Sequence, residues 1–186
     1  QARLSRSGLT MTEGVAVVRR VAEALAVAHA RGIVHRDVKP RNLFLVDQAG
    51  ERVKVLDFGI ARLRDGGQMT LTGAMLGTPG YMAPEQAEGA RDVDARADVF
   101  SLGCVLFKCL TGESAFGGDN VLAVLAKTVL EETPRVADLR PDVPPELDAL
   151  VGRWLAKDKA RRPRDAAAAA AELAALGPLP DAQASP

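Results

Sequence analysis

Two short apolar runs, Leu43-Phe44-Leu45-Val46 and Val53-Lys54-Val55-Leu56, constrain this 186-residue chain more than any other stretch. Between them Asp47-Gln48-Ala49-Gly50 is polar and ends in glycine, the kind of segment a hairpin loop uses, so the pattern predicts two antiparallel strands. A hairpin returns the chain beside itself. Asn42, which enters it, and Asp57, which leaves it, are therefore expected to end close together. Both offer oxygen ligands, which suit a hard cation such as Mg²⁺ that keeps some water and shares its remaining positions with phosphate. Asp37 stands within reach of a substrate hydroxyl, and Lys39 supplies a compact cation for phosphate charge. The carboxylates of Asp37 and Asp57, the Asn42 carboxamide and the Lys39 ammonium are the equipment for phosphoryl transfer, where positioning and electrostatics do most of the catalysis.

Spelled out, His35-Arg36-Asp37-Val38-Lys39-Pro40-Arg41-Asn42 precedes Asp57-Phe58-Gly59, and Ala83-Pro84-Glu85 follows. In this order and spacing the three motifs resemble the catalytic loop, the metal-binding motif and the end of the activation segment of eukaryotic-type (bacterial Hanks-type) serine/threonine protein kinases. The resemblance implies that Asp37 is the base or hydroxyl orienter, that Lys39 meets the γ-phosphate, and that Asn42 and Asp57 hold Mg²⁺ and with it ATP. It places Phe44 under the adenine, where leucine is commoner, and gives His35, Arg36, Phe58 and Gly59 structural duties. Lys39, two residues after the base, fits serine/threonine rather than tyrosine specificity.

Residues 60–85 carry little periodicity and many turn formers, and a loop this long in a compact domain is usually functional or disordered. Lying between the second and third motifs, it resembles an activation segment. Thr70 and Thr72 at its middle are expected regulatory phosphosites, each gaining about −1.5 to −2 of charge on phosphorylation, with Arg36 as the receiver the resemblance implies. Thr78 is expected to bridge Asp37 and Lys39, and Tyr81 to be packed. By the same resemblance Arg162 pairs with Glu85, and Asp98 anchors the 35–42 loop backbone. Read from local sequence alone, Asp98 instead caps a helix running to about residue 110, and both readings are structural. Phe100 stands where the family usually has tryptophan.

The remaining chain reads as helices. Thr10-Met11-Thr12-Glu13 fits a capping box, followed by Val18, Val21, Leu25 and Ala28 at helical spacing, with Gly32 as a stop. His29, in that helix's last turn, reads as a capping or packing residue. Residues 120–130 form a helix capped by Asn120 and packed by Val121, Val124, Leu125, Thr128 and Val129. Prolines 134, 141, 144 and 145 interrupt the chain before a helix over 146–156 with Leu147, Leu150, Val151, Trp154 and Leu155 on its apolar face. An alanine-rich helix over 165–176 closes the domain, so the expected organisation is a lobe over 1–176 and a disordered tail over 177–186.

Charge and composition narrow the class further. Apolar residues make up 47% and charged ones 26%, and the 24 basic and 24 acidic residues cancel, which removes any net pull toward nucleic acid. No run approaches the roughly 20 apolar residues of a spanning helix. Cys104 and Cys109, the only cysteines, read as reduced thiols in a buried helix. The expectation is a cytosolic chain, whose parent the resemblance allows to be tethered to a membrane. The expected fold is mainly α with a short β-hairpin, like the C-terminal lobe of a protein kinase. The N-terminal lobe's glycine-rich loop has no counterpart, since no two glycines are spaced Gly-x-Gly. The expected partners are accordingly ATP, protein substrates and an N-terminal lobe of the same polypeptide, without which the chain is expected to be inactive. The rival readings are a pseudokinase or isolated lobe serving as a binding module, and a small-molecule kinase. Intact Asp37 and Asp57 count against the first; the 77–85 segment and Arg36 count against the second.

Overall fold

The computed structural model describes residues 9–46, 53–58 and 79–180. Thr10 opens α1 (Met11–His29) with the reciprocal cap its sequence predicts: Oγ1 accepts from the Glu13 amide at 3.1 Å, and Glu13 Oε2 accepts from the Thr10 amide at 2.9 Å. Val15, Val18, Val21, Ala22 and Leu25 lie on one stripe and are buried. The helix ends at His29, and Gly32 follows in a left-handed conformation (φ 72°) that suits a residue without Cβ.

The chain then runs through the 35–42 loop into β1 (Leu43–Leu45), which pairs antiparallel with β2 (Val53–Val55). The register sets Leu43 opposite Val55, Phe44 opposite Lys54 and Leu45 opposite Val53. One further bond, Leu56 N to Asn42 O at 2.8 Å, carries the pairing to the residues that flank the site. Leu43 is buried, and β2 leans on α1. The hairpin expected from the two apolar runs is thus formed.

Beyond it, α2 (Pro84–Ala87) leads to α3 (Ala95–Thr111), the axis of the domain. Residues 97–107 of α3 are buried without interruption, so this helix faces protein on every side, against α1, α6 (Pro145–Trp154) and α7 (Ala166–Ala174). It begins one turn earlier than the apolar pattern suggests. Asp94, not Asp98, is its N-cap, accepting from the Arg96 amide at 2.9 Å. Gly103 sits at the α3–α6 contact, where an added Cβ would lie 3.0 Å from Leu155 Cδ2 and 3.1 Å from Trp154 Cβ. Phe100 stacks on Phe116 at 5.7 Å between ring centroids, which occupies the position expected of a bulkier indole.

Two expectations need correction. Asn120 caps α4 (Val121–Leu130) as read, but only Val124 and Thr128 are buried. Leu122 and Leu130 are 74% and 80% exposed. The helix is apolar on nearly all faces, so its sequence gives no direction; its neighbours, α2 and the 79–81 turn, cover one stripe only. The proline-rich stretch also contains a short helix, α5 (Val136–Leu139), held to α6 where Asp148 accepts from Arg135 and from the Ala137 amide. Helices α6 and α7 end near residues 154 and 174, short of the predicted 156 and 176, and Asp165 caps α7 from outside it.

Two consequences are measurable. Gly103→Val forces side-chain atoms into the α3–α6 contact and should destabilise the protein by about 2–3 kcal/mol in urea unfolding. Both cysteines are free, and burial pushes their thiols up, that of Cys109 to about 12. The folded-state value exceeds the unfolded one, so the thiols favour folding while protonated and lose that contribution as pH rises from about 9 toward 12. The alkaline fall of the urea midpoint over that window should be shallower in Cys104→Ala.

Candidate active site

The first turn of α3 carries Asp98, wholly buried, and the 35–42 loop hangs from it. Its carboxylate accepts from the His35 and Arg36 amides, both at 2.7 Å, and bonds His29 Nε2 at 2.9 Å. Three donors and the positive end of a helix compensate a charge that would otherwise be costly to bury. Arg36 has φ 64°, a left-handed conformation unusual for a side chain of this size. Such a residue costs on the order of 1–3 kcal/mol and persists only where its surroundings over-determine it. Here they do: its amide is held by Asp98, its carbonyl accepts from Gln86 Nε2 at 3.0 Å, and its guanidinium donates to Val93 O at 3.3 Å.

His35 connects the loop to the far side of the hairpin. Its Nδ1 accepts from the Asp37 amide at 3.2 Å, which leaves the ring proton on Nε2 to be donated to Leu56 O at 3.0 Å. The Phe58 ring lies against it, centroids 4.7 Å apart. Between Leu56 and Phe58 stands Asp57, exposed and also left-handed at φ 53°, a conformation Asp tolerates better than most residues.

The side chains of Lys39 and Asn42 converge on Asp37. Lys39 Nζ lies 2.7 Å from Asp37 Oδ2. Asn42 donates from Nδ2 to Asp37 O at 2.8 Å and to Asp37 Oδ2 at 3.1 Å. With its nitrogen so employed, the Asn42 carboxamide keeps Oδ1 unpaired among the described residues. That oxygen, together with the Asp57 carboxylate on the paired strand end, fits the one or two protein ligands that Mg²⁺ accepts alongside phosphate oxygens. Phe44, in β1, is 45% exposed. The expected contributions of Gly59, Thr70, Thr72 and Thr78 lie outside the described residues.

A second network holds the 79–85 segment beneath this site. Arg162 and Glu85 form a two-pronged pair, Nη1 to Oε1 at 2.8 Å and Nη2 to Oε2 at 2.9 Å, both side chains buried. Arg162 also donates to the carbonyls of Ala156, Arg96 and Lys157 and lies over the Phe100 ring. Ser101 donates to Tyr81 O at 2.6 Å, and burial pushes the Tyr81 phenol up to about 12, as befits a packed tyrosine. Lys157 reaches the carbonyl end of α4, donating to Thr128 O at 2.7 Å above the Phe116 ring; desolvation holds its pKa down to about 8.

Sequence reasoning passed over two residues that matter here. Gln86, bonded to the Arg36 carbonyl, carries no local signal beyond its place after the third motif. His29 reads as a helix-end residue, yet it meets Asp98. The only available hint was that a histidine stands six residues before His35, across a glycine stop that turns the chain back.

Comparison with known proteins agrees with this geometry. The family model for the protein kinase domain matches residues 2–173. The chain is 45% identical over 172 residues to the serine/threonine-protein kinase PknB of Mycolicibacterium smegmatis, an alignment covering 90% of this chain and 27% of that protein. It is 43% identical over 155 residues to PknD of Mycobacterium tuberculosis, covering 83% and 23%. To PknL of the same organism it is 40% identical over 162 residues, covering 87% and 40%. The chain thus spans roughly a quarter to two-fifths of the length of these relatives.

Arg162→Met would leave Glu85 a buried, unpaired carboxylate, and it should cost about 3–5 kcal/mol in chemical denaturation. The double variant Arg162→Met/Glu85→Leu should recover a good part of that loss. Equal destabilisation in the single and double variants would mean that the pair contributes through packing rather than charge.

Proposed function

The chain belongs to the protein kinase domain family, and we propose that the whole protein transfers the γ-phosphate of ATP to serine or threonine side chains of protein substrates. The 186 residues are read as the lobe that binds the protein substrate and much of the metal, with a second lobe of the same polypeptide closing the nucleotide cleft. The observation that carries this reading is the convergence of Lys39 and Asn42 on the Asp37 carboxylate, with Asp57 presented from the paired strand end.

In this mechanism Asp37 accepts a hydrogen bond from the substrate hydroxyl, orients it toward the γ-phosphorus and takes its proton as the new P–O bond forms and the bond to the β,γ-bridging oxygen breaks, with ADP leaving. Lys39, already beside Asp37, supplies its ammonium to the γ-phosphate oxygens. Asn42 is held by Asp37 through Nδ2, so its Oδ1 is set for the metal before any ligand arrives; Asp57 supplies the second oxygen. Mg²⁺ held there would neutralise the negative charge that builds on the phosphates. Thr78 joins Asp37 and Lys39 to the substrate-positioning segment. Thr70 and Thr72 are the phosphosites in this reading, and Arg36, whose backbone is held from both sides, is the receiver of the added charge. Exposed Phe44, Val46 and Leu56 on the hairpin fit a surface that the adenine and the second lobe cover.

Phosphotransfer from labelled ATP with Mg²⁺ to a generic protein substrate tests the reading. The full-length protein should be active, Asp57→Asn should lose at least about 100-fold, and the 186-residue chain alone should be silent. A silent full-length protein would instead favour a non-catalytic binding module of the same fold.

A further inference from the structure

We propose that His29 is a positioning residue for the 35–42 loop and that its ring places the N-terminus of α7 in series with that loop. The ring is almost inaccessible, its side chain 4% exposed. Its Nδ1 accepts from the Ala166 amide at 3.1 Å, so that nitrogen carries a lone pair and the proton sits on Nε2. Nε2 then donates to Asp98 Oδ2 at 2.9 Å, the same oxygen that accepts the His35 amide at 2.7 Å. The other tautomer would set two N–H groups against each other at Ala166 and a lone pair against the carboxylate at Asp98. The ring is therefore fixed from both ends, in one tautomer and one orientation.

Each end has a physical reason to depend on the other. Ala166 is the first residue of α7, where backbone N–H groups have no acceptor within the helix. Asp165 takes one of these donors, the Ala168 amide at 2.8 Å, and His29 takes another. Helix α7 is seated on α1 through buried Ala166, Ala169 and Leu173. At the other end, the Asp98 carboxylate must present one oxygen to each of two consecutive amides, and His29 fixes the plane in which it does so. Movement of the first turn of α7 is thereby passed through one imidazole to the backbone that carries Asp37.

The kinetic arms of the test rest on the kinase reading; the spectroscopic arms do not. In the full-length protein, His29→Phe keeps the ring volume and removes both bonds. The turnover number per titrated active site should fall about tenfold, the equivalent of one net hydrogen bond, while KM for ATP changes less than about twofold. His29→Gln, which retains a donor for Asp98, should recover most of the loss. Asp165→Ala should lower turnover about threefold in the wild-type background and have no effect in His29→Phe. Nitrogen NMR should find His29 protonated at Nε2 only, and amide exchange at His35 and Arg36 should accelerate in both His29→Phe and Asp165→Ala. A lower melting temperature with unchanged turnover per active site and unchanged exchange at His35 and Arg36 would overturn the proposal. Additive effects of the two substitutions would remove α7 from the series. Absent turnover in the wild type would count against the kinase reading alone, and the tautomer and exchange measurements would still decide this one.

Discussion

The buried carboxylate of Asp98 is the interaction on which the rest of the site depends. It sits on the most enclosed helix of the domain and holds two consecutive backbone amides of a loop that has no regular structure of its own. Those two bonds force Arg36 into a left-handed conformation, which turns the chain so that Asp37 and Asn42 face each other. A side-chain anchor of this kind does what a strand ladder does elsewhere: it gives the loop one geometry, and three donors offset the cost of burying the charge. The hairpin then copies that geometry to the opposite side through His35 and the Leu56 carbonyl.

A separate clamp, Arg162 with Glu85, serves the 79–85 segment. Of the five bonds Arg162 donates, two go to the Glu85 carboxylate and three to the carbonyls of Arg96, Ala156 and Lys157, so the segment is referred to the same core as the loop above it. Gln86 joins the two, because its oxygen accepts from the Ala83 amide while its nitrogen reaches the Arg36 carbonyl. Loop and segment are therefore held relative to each other by one side-chain amide between two anchors that both rest on α3.

Much of this was legible in the sequence. The capping box at Thr10 and the hairpin that sets Asn42 beside Leu56 follow from local chemistry, because each depends on residues a few positions apart or on a two-residue period. The Arg162–Glu85 pair and the anchoring duty of Asp98 came from family resemblance, since nothing local relates positions 77 or 63 residues apart. Where local rules misled, tertiary competition was the cause. Asp98 looks like a cap until Asp94 takes that place and frees it to serve the loop. Helix α4 has apolar side chains in all directions, so only its neighbours decide which stripe is covered. His29 was invisible because its meaning lies in a partner 137 residues away.

The hairpin stem has an evolutionary corollary. Three ladder pairs and the Leu56–Asn42 bond fix the relation of Asn42 to Asp57 from the base of the hairpin, with no contribution required from the residues that join β1 to β2. Lengthening a flexible connection costs only about 0.6 kcal/mol for each doubling, so a longer connection would leave the pairing of Asn42 with Leu56 in register. A lineage could therefore vary the length of chain between β1 and β2 and keep the relation that the stem imposes on Asn42 and Asp57.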